Sequence, residues 1–125
     1  MRTRNQEYAA RVLEQVGTVR NKLPEDDRKK YGSLSHRLPL LIRTAGLAQA
    51  LGFVEARGGA VGNMLLEHIA ATVEEEKLLS RSRTAELAEY MRLTRNVLTA
   101  LVWYKRFAQS VLGVKAGADK EGSGA

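Results

Sequence analysis

Residues 31–54 read YGSLSHRLPLLIRTAGLAQALGFV, and the identity of this stretch decides what kind of protein this is. From Leu38 onward it is almost wholly apolar, yet it contains Pro39, Arg43, Gly46 and Gly52. A run of about seventeen residues lies at the short limit for spanning a bilayer. Arg43, Thr44 and Gln49 interrupt it, and a central arginine in lipid costs ~3 kcal/mol or more. A membrane span is therefore rejected. On a helical wheel the apolar side chains reach nearly all the way round, the mark of a helix enclosed by protein. Gly46, Ala50 and Gly52 leave room for neighbouring helices to approach. Residues 38–54 are thus expected to form one central core helix, with Pro39 kinking its first turns or marking its start.

The flanking segments also have helical period. Tyr8, Val12, Val16 and Val19 recur at steps of three and four, making one apolar stripe on a helix of about twenty residues. Thr3 and Gln6 are spaced as a capping box, and Leu23-Pro24 ends the segment. In PEDDRKKYG, Pro24 opens a short helix with acids in its first turn and bases in its last, matching the helix dipole. Gly32 is expected to break it and Ser33 to cap the next.

ARGGAVGN, residues 56–63, reads as a flexible, exposed connection. It is not a phosphate loop, because no strand precedes it and no Lys-Ser/Thr pair follows. Asn63 is expected to cap a short helix, MLLEHIAATV, with a break near 80–84 where hydroxyl residues compete as caps. A last helix from about Thr84 to Leu112 has Leu87, Tyr90, Met91, Val97, Leu98, Leu101, Tyr104, Ala108 and Leu112 on its apolar face. The expected fold is all-α: a compact single-domain bundle of five or six helices over residues 1–113. The glycine-rich tail 114–125 is expected to be disordered.

Composition narrows the function. The chain has 125 residues, 44% hydrophobic and 27% charged, as for a globular domain. It has no cysteine, which removes disulfides, thiolate metal sites and cysteine nucleophiles. No leader-like apolar run opens the chain, so a cytoplasmic location is expected. His36 and His68 stand alone, and EHIAA lacks the paired histidines of a zinc helix. The consecutive Glu74, Glu75 and Glu76 point around a helix rather than converging, and read as a solvated face. No catalytic set, metal site or cofactor motif is visible.

The net charge of +6 favours polyanions as partners. The basic residues concentrate in residues 81–106, which hold six bases against two acids. At one hundred degrees per residue, Arg92, Arg95, Asn96, Thr99, Arg106 and Ser110 share one stripe, and Trp103 falls inside it. Arginines one to three turns apart can meet successive phosphates, and a tryptophan can stack on a base or anchor a protein interface. An ordinary solvated stripe with a covered Trp103 is the competing reading. Arg92, Arg95 and Arg106 are the expected phosphate contacts, with Arg37 and Lys105 as weaker candidates and Trp103 at an interface or stacking surface.

Two segments together resemble a known family. YGSLSHRLPLLIRTAGLAQALGFVEAR, Tyr31 to Arg57, and AEYMRLTRNVLTALVWYKRFAQSVL, Ala88 to Leu112, are similar to the small, fifth subunit of the type III-B CRISPR RNA-targeting effector, the Cmr complex. In that family an asparagine often precedes the glycine of the first motif, where this chain has Ala45. The resemblance implies an all-helical, non-catalytic subunit. Several copies would stack beside the guide-holding filament, with other Cmr subunits, guide RNA and target RNA as partners. A helical protein–protein adaptor with incidental basic charge is the alternative.

Overall fold

The Thr3 hydroxyl accepts from the Gln6 backbone N–H at 3.1 Å while Gln6 Oε1 accepts from the Thr3 N–H at 2.8 Å, so the expected capping box opens the first helix. The computed structural model describes residues 1–117. Six α-helices follow one another: α1 Arg4–Lys22, α2 Glu25–Ala45, α3 Leu47–Arg57, α4 Gly59–Thr72, α5 Leu78–Thr84 and α6 Leu87–Ser110. No strand occurs among the described residues, and none of their helices is long and apolar enough to cross a membrane.

The valine stripe of α1 falls where its period places it, with Tyr8, Val12, Val16 and Val19 buried. α6 turns a slightly different face inward than expected. Leu93, Val97, Ala100, Leu101, Tyr104 and Ala108 are buried, whereas Leu87 is 73% exposed and Met91 56%. α6 packs on both α2 and α1, and the core lies between these three helices and α3–α4.

The central stretch departs from expectation in three ways. Gly32 does not break the chain, and α2 runs through it and through Pro39. A Cβ at Gly32 would lie 2.7 Å from Val114 Cβ, so a contact from the far end of the chain fixes a residue of poor helix propensity. The apolar rod is also not one helix. Gly46, at φ +90°, turns the backbone between α2 and α3 in a conformation that residues with side chains rarely adopt. The Tyr90 hydroxyl of α6 accepts from the Ala48 N–H at 3.2 Å just beyond that elbow. Nor is the rod enclosed all round: Leu40 is 65% exposed, and Arg43, Thr44 and Gln49 lie outward with it.

The glycine-rich connection is likewise part of the packed structure. Gly58 and Gly62 are buried against the end of α3, and Asn63 lies inside α4 rather than capping it. The expected break at 80–84 is the short helix α5; the real interruption is at Ala85 and Glu86. The packed structure also takes in the first residue of the expected tail. Val114 is 5% exposed, and His36 Nε2 donates to its carbonyl at 2.8 Å. The remainder of the expected tail, 118–125, lies outside the described residues.

A closed polar ring sits inside this apolar frame. Tyr104 donates to Gln15 Oε1 at 2.5 Å, so its oxygen is left to accept from Thr72 Oγ1 at 3.0 Å. Thr72 Oγ1 in turn accepts from Gln15 Nε2 at 3.1 Å. Donors run one way round the ring, and Thr72 and Tyr104 are fully buried. Tyr104→Phe should strand the Gln15 carbonyl and cost ~1–3 kcal/mol, read as a lower urea midpoint.

Beside the ring, the Tyr31 hydroxyl and His68 Nδ1 share a hydrogen bond of 2.7 Å. Burial, only partly countered by Glu67, pushes the His68 imidazole below its usual 6.5. The unfolded chain therefore takes up this proton at higher pH than the folded one. The His68 contribution to stability is complete above 6.5 and is lost as pH falls through the lowered folded-state value. Urea midpoints measured between pH 5 and 7.5 should fall with acid, and His68→Gln should flatten that slope.

Candidate nucleic-acid interface

The polar stripe expected along α6 is divided by the start of α1. Asn96, 6% exposed, accepts from Arg4 Nη1 at 3.3 Å. Trp103 Nε1 donates to Asn5 Oδ1 at 2.8 Å, and its ring stacks on Phe107 with centroids 5.8 Å apart. Arg92 faces the same side. Its Nη2 lies 2.6 Å from Glu89 and 3.6 Å from Glu75, and the Glu89 hydrogen bond holds the guanidinium above its usual pKa. The Glu89 carboxyl is correspondingly held below its ordinary value, Arg92 first and Arg81 second among the partners responsible. Arg92 is therefore neutralised, and Trp103 is half-covered by residues of its own chain.

Arg95, Thr99, Val102 and Arg106 remain outward, one step per turn along α6, with Lys105 exposed beside them. Arg95 and Arg106 carry no carboxylate among the described residues, whereas Arg81, Arg83 and Arg92 each do. The Arg106 guanidinium lies 5.1 Å from the centre of the Trp103 ring, which holds the charge at the surface without cancelling it. Arg37, on α2, lies 5.9 Å over the Phe53 ring, away from this ridge.

Next to the ridge an open groove of about 570 Å³ runs between the end of α2 and α6. Met91, Leu98 and Val102 floor it, and Arg43 and Arg95 flank it. The Thr94 and Thr99 hydroxyls donate to carbonyls of their own helix, at 2.8 and 2.9 Å, so the two guanidiniums are the groove's charged donors. Arg43 was legible in the sequence only as an interruption of the apolar rod. Its outward position follows from the same periodicity that puts Leu38 and Ile42 inward. An apolar floor with cationic walls suits either a stacked base with its phosphates or an apolar segment of a protein with acidic flanks.

Among the described residues no group of three or more His, Cys, Asp or Glu side chains could hold a metal ion. Glu74 and Glu76 are exposed, as a solvated face requires. Glu75 departs from that expectation, lying half-buried between Arg81 at 3.9 Å and Arg92.

Known proteins share this architecture. The model of a family of CRISPR-associated proteins, Cas_Cmr5, matches residues 4–111. A protein of Thermus thermophilus described as a CRISPR system Cmr subunit, Cmr5, is 41% identical over 116 residues, covering 90% of this chain and 98% of the relative. The crystal structure of a Cmr5 family protein from Thermus thermophilus superimposes with a TM-score of 0.82 at 39% identity, covering 89% of this chain and 98% of the other. With its family model spanning α1 to α6 and its six-helix frame shared with a solved member, the chain belongs to the Cas_Cmr5 family.

Proposed function

We propose that this chain is a non-catalytic subunit of a CRISPR Cmr ribonucleoprotein complex, present in several copies beside the guide-holding filament. In this reading it contacts the backbone of the target RNA through the outer ridge of α6. Arg95, Arg106 and Lys105 make those contacts, joined by Arg43 from α2. The observation that carries the reading is the unequal pairing of the arginines: those on the ridge and groove lack carboxylates, while those of α5 and the inner side of α6 have them. Unpaired cations in a row keep the potential that recruits a phosphate backbone, whereas paired ones do not.

The complex reconstituted with Arg43, Arg95 and Arg106 all changed to alanine should bind target RNA more weakly. Each lost phosphate contact on a single strand lowers the salt slope by ~0.7, so the triple variant should be flatter by ~2. Filter binding across a salt series gives that slope, and an unchanged slope removes the assignment. The exposed apolar floor, with Met91 at 56% and Val102 at 43%, favours a second reading in which the groove docks a protein subunit. In that case Val102→Asp blocks assembly of the complex while the arginine variant leaves RNA binding intact.

A further inference from the structure

A second cavity, of about 390 Å³, lies farther round α6, where α1 and the turn after α4 close over it. Its size is within the range of small-ligand sites. Tyr8, Arg4, Arg11, Arg92 and Asn96 line it together with Glu7, Glu74 and Glu75. Two of these side chains belong to the interior: Tyr8 is 4% exposed and Asn96 6%. Asn96 Oδ1 is taken by Arg4, which assigns the Nδ2 amide as the group left over, and it has no partner among the described residues. The Tyr8 hydroxyl has none either. Burial, only partly offset by Arg4, raises the Tyr8 phenol above its usual 10.0, so it stays protonated and can donate. Arg4 has given one N–H to Asn96 and keeps the rest of its fork. The unpartnered neutral groups of this cavity, with the rest of the Arg4 fork, are therefore donors.

Neither neutral donor is sealed in the interior, since the fully buried unpartnered side-chain atoms among the described residues are Ser33 Oγ and His36 Nδ1, so both are open to the cavity that they line. A tetrahedral oxyanion supplies several acceptors at once, and guanidinium forks match its geometry. We propose that this cavity binds a phosphate group, with Arg4, Asn96, Tyr8 and Arg11 as its donors. The three glutamates are the objection to meet. Glu75 stays committed to Arg81 and Arg92, and Glu7 meets Arg11 only at 3.8 Å, as an exposed pair one turn along α1. Glu74 is different: its side chain is 70% exposed, and it reaches Arg11 at 2.7 Å from a residue at φ +58°. An exposed pair of this kind exchanges readily. The Glu74 carboxylate occupies the place of the anion and swings to solvent when phosphate arrives. Arg11 remains anchored through its Nη1 donation to the Thr72 carbonyl at 2.8 Å.

The phosphate could be a free or terminal one, or a diester within an RNA chain. Calorimetric titration of the purified chain with inorganic phosphate, and with a short oligoribonucleotide carrying either a 5′-phosphate or a 5′-hydroxyl, separates these. A terminal site binds inorganic phosphate and prefers the phosphorylated oligonucleotide; a diester site binds both oligonucleotides alike. In either case Arg4→Gln and the nearly isosteric Asn96→Asp should each weaken binding by tenfold or more. Glu74→Gln should tighten it several-fold, and all three variants should keep the circular dichroism of the parent. The Arg95→Ala/Arg106→Ala pair should leave this binding unchanged, so the cavity and the outer ridge are tested independently. No saturable binding of any probe overturns the proposal. So does binding that the ridge variant abolishes while Arg4→Gln and Asn96→Asp leave it intact.

Discussion

Replacing Leu38 by alanine should lower the unfolding free energy by ~2–5 kcal/mol, while the same change at Leu40, two residues along the same helix, should be almost silent. Leu38 is fully buried in the core, and Leu40 is 65% exposed. Removing the Leu38 side chain forfeits its transfer from water and leaves a cavity that the surrounding helices fill only in part. For a domain whose total stability is ~5–15 kcal/mol, that loss moves a urea midpoint by a large fraction of its value. The pair is informative because composition does not distinguish the two leucines. Equal losses at both would mean that the rod is enclosed after all.

Gly58→Ala should cost ~1–3 kcal/mol, although it replaces glycine with a better helix former. A Cβ at Gly58 would stand 2.6 Å from the Val54 carbonyl oxygen and 2.7 Å from the Gly62 Cα. Both obstacles are backbone, so no side chain can turn aside and the angle between α3 and α4 has to open. Gly17→Ala is the contrast, since a Cβ there meets nothing within 4 Å and its helix gains propensity. Thermal melts of the two variants should shift in opposite directions. A flexible connection at residues 56–63 would instead tolerate Gly58→Ala without loss.

The contrast between these glycines marks how far the residues speak for themselves. α1 was readable to its cap and its buried face because its capping box and its apolar period are both set within four residues along the chain. The all-helical class was readable because no stretch alternates with period two. Gly32 was misread because Val114, eighty-two positions away, occupies the space its missing Cβ leaves. The α6 stripe was found, but its division was not: Arg4 and Asn5 cover Asn96 and Trp103 from the other end of the sequence. The expected phosphate contacts sort the same way. Arg95 and Arg106 lie outward where periodicity put them, whereas the pairing of Arg92 with Glu75 required a turn that brings distant residues together. Arg43 drew attention as a fault in an apolar run when it is one wall of the groove.

The one-way circuit of Gln15, Thr72 and Tyr104 has an evolutionary consequence. Each member donates a hydrogen bond to the next, so a lone replacement leaves the other two mismatched, and a second replacement then costs less than it would alone. In sequences descended from a common ancestor with this chain, the three positions should be inherited as a set and exchanged as a set. A lineage that swaps the tyrosine for phenylalanine should show apolar residues arising at the other two soon after.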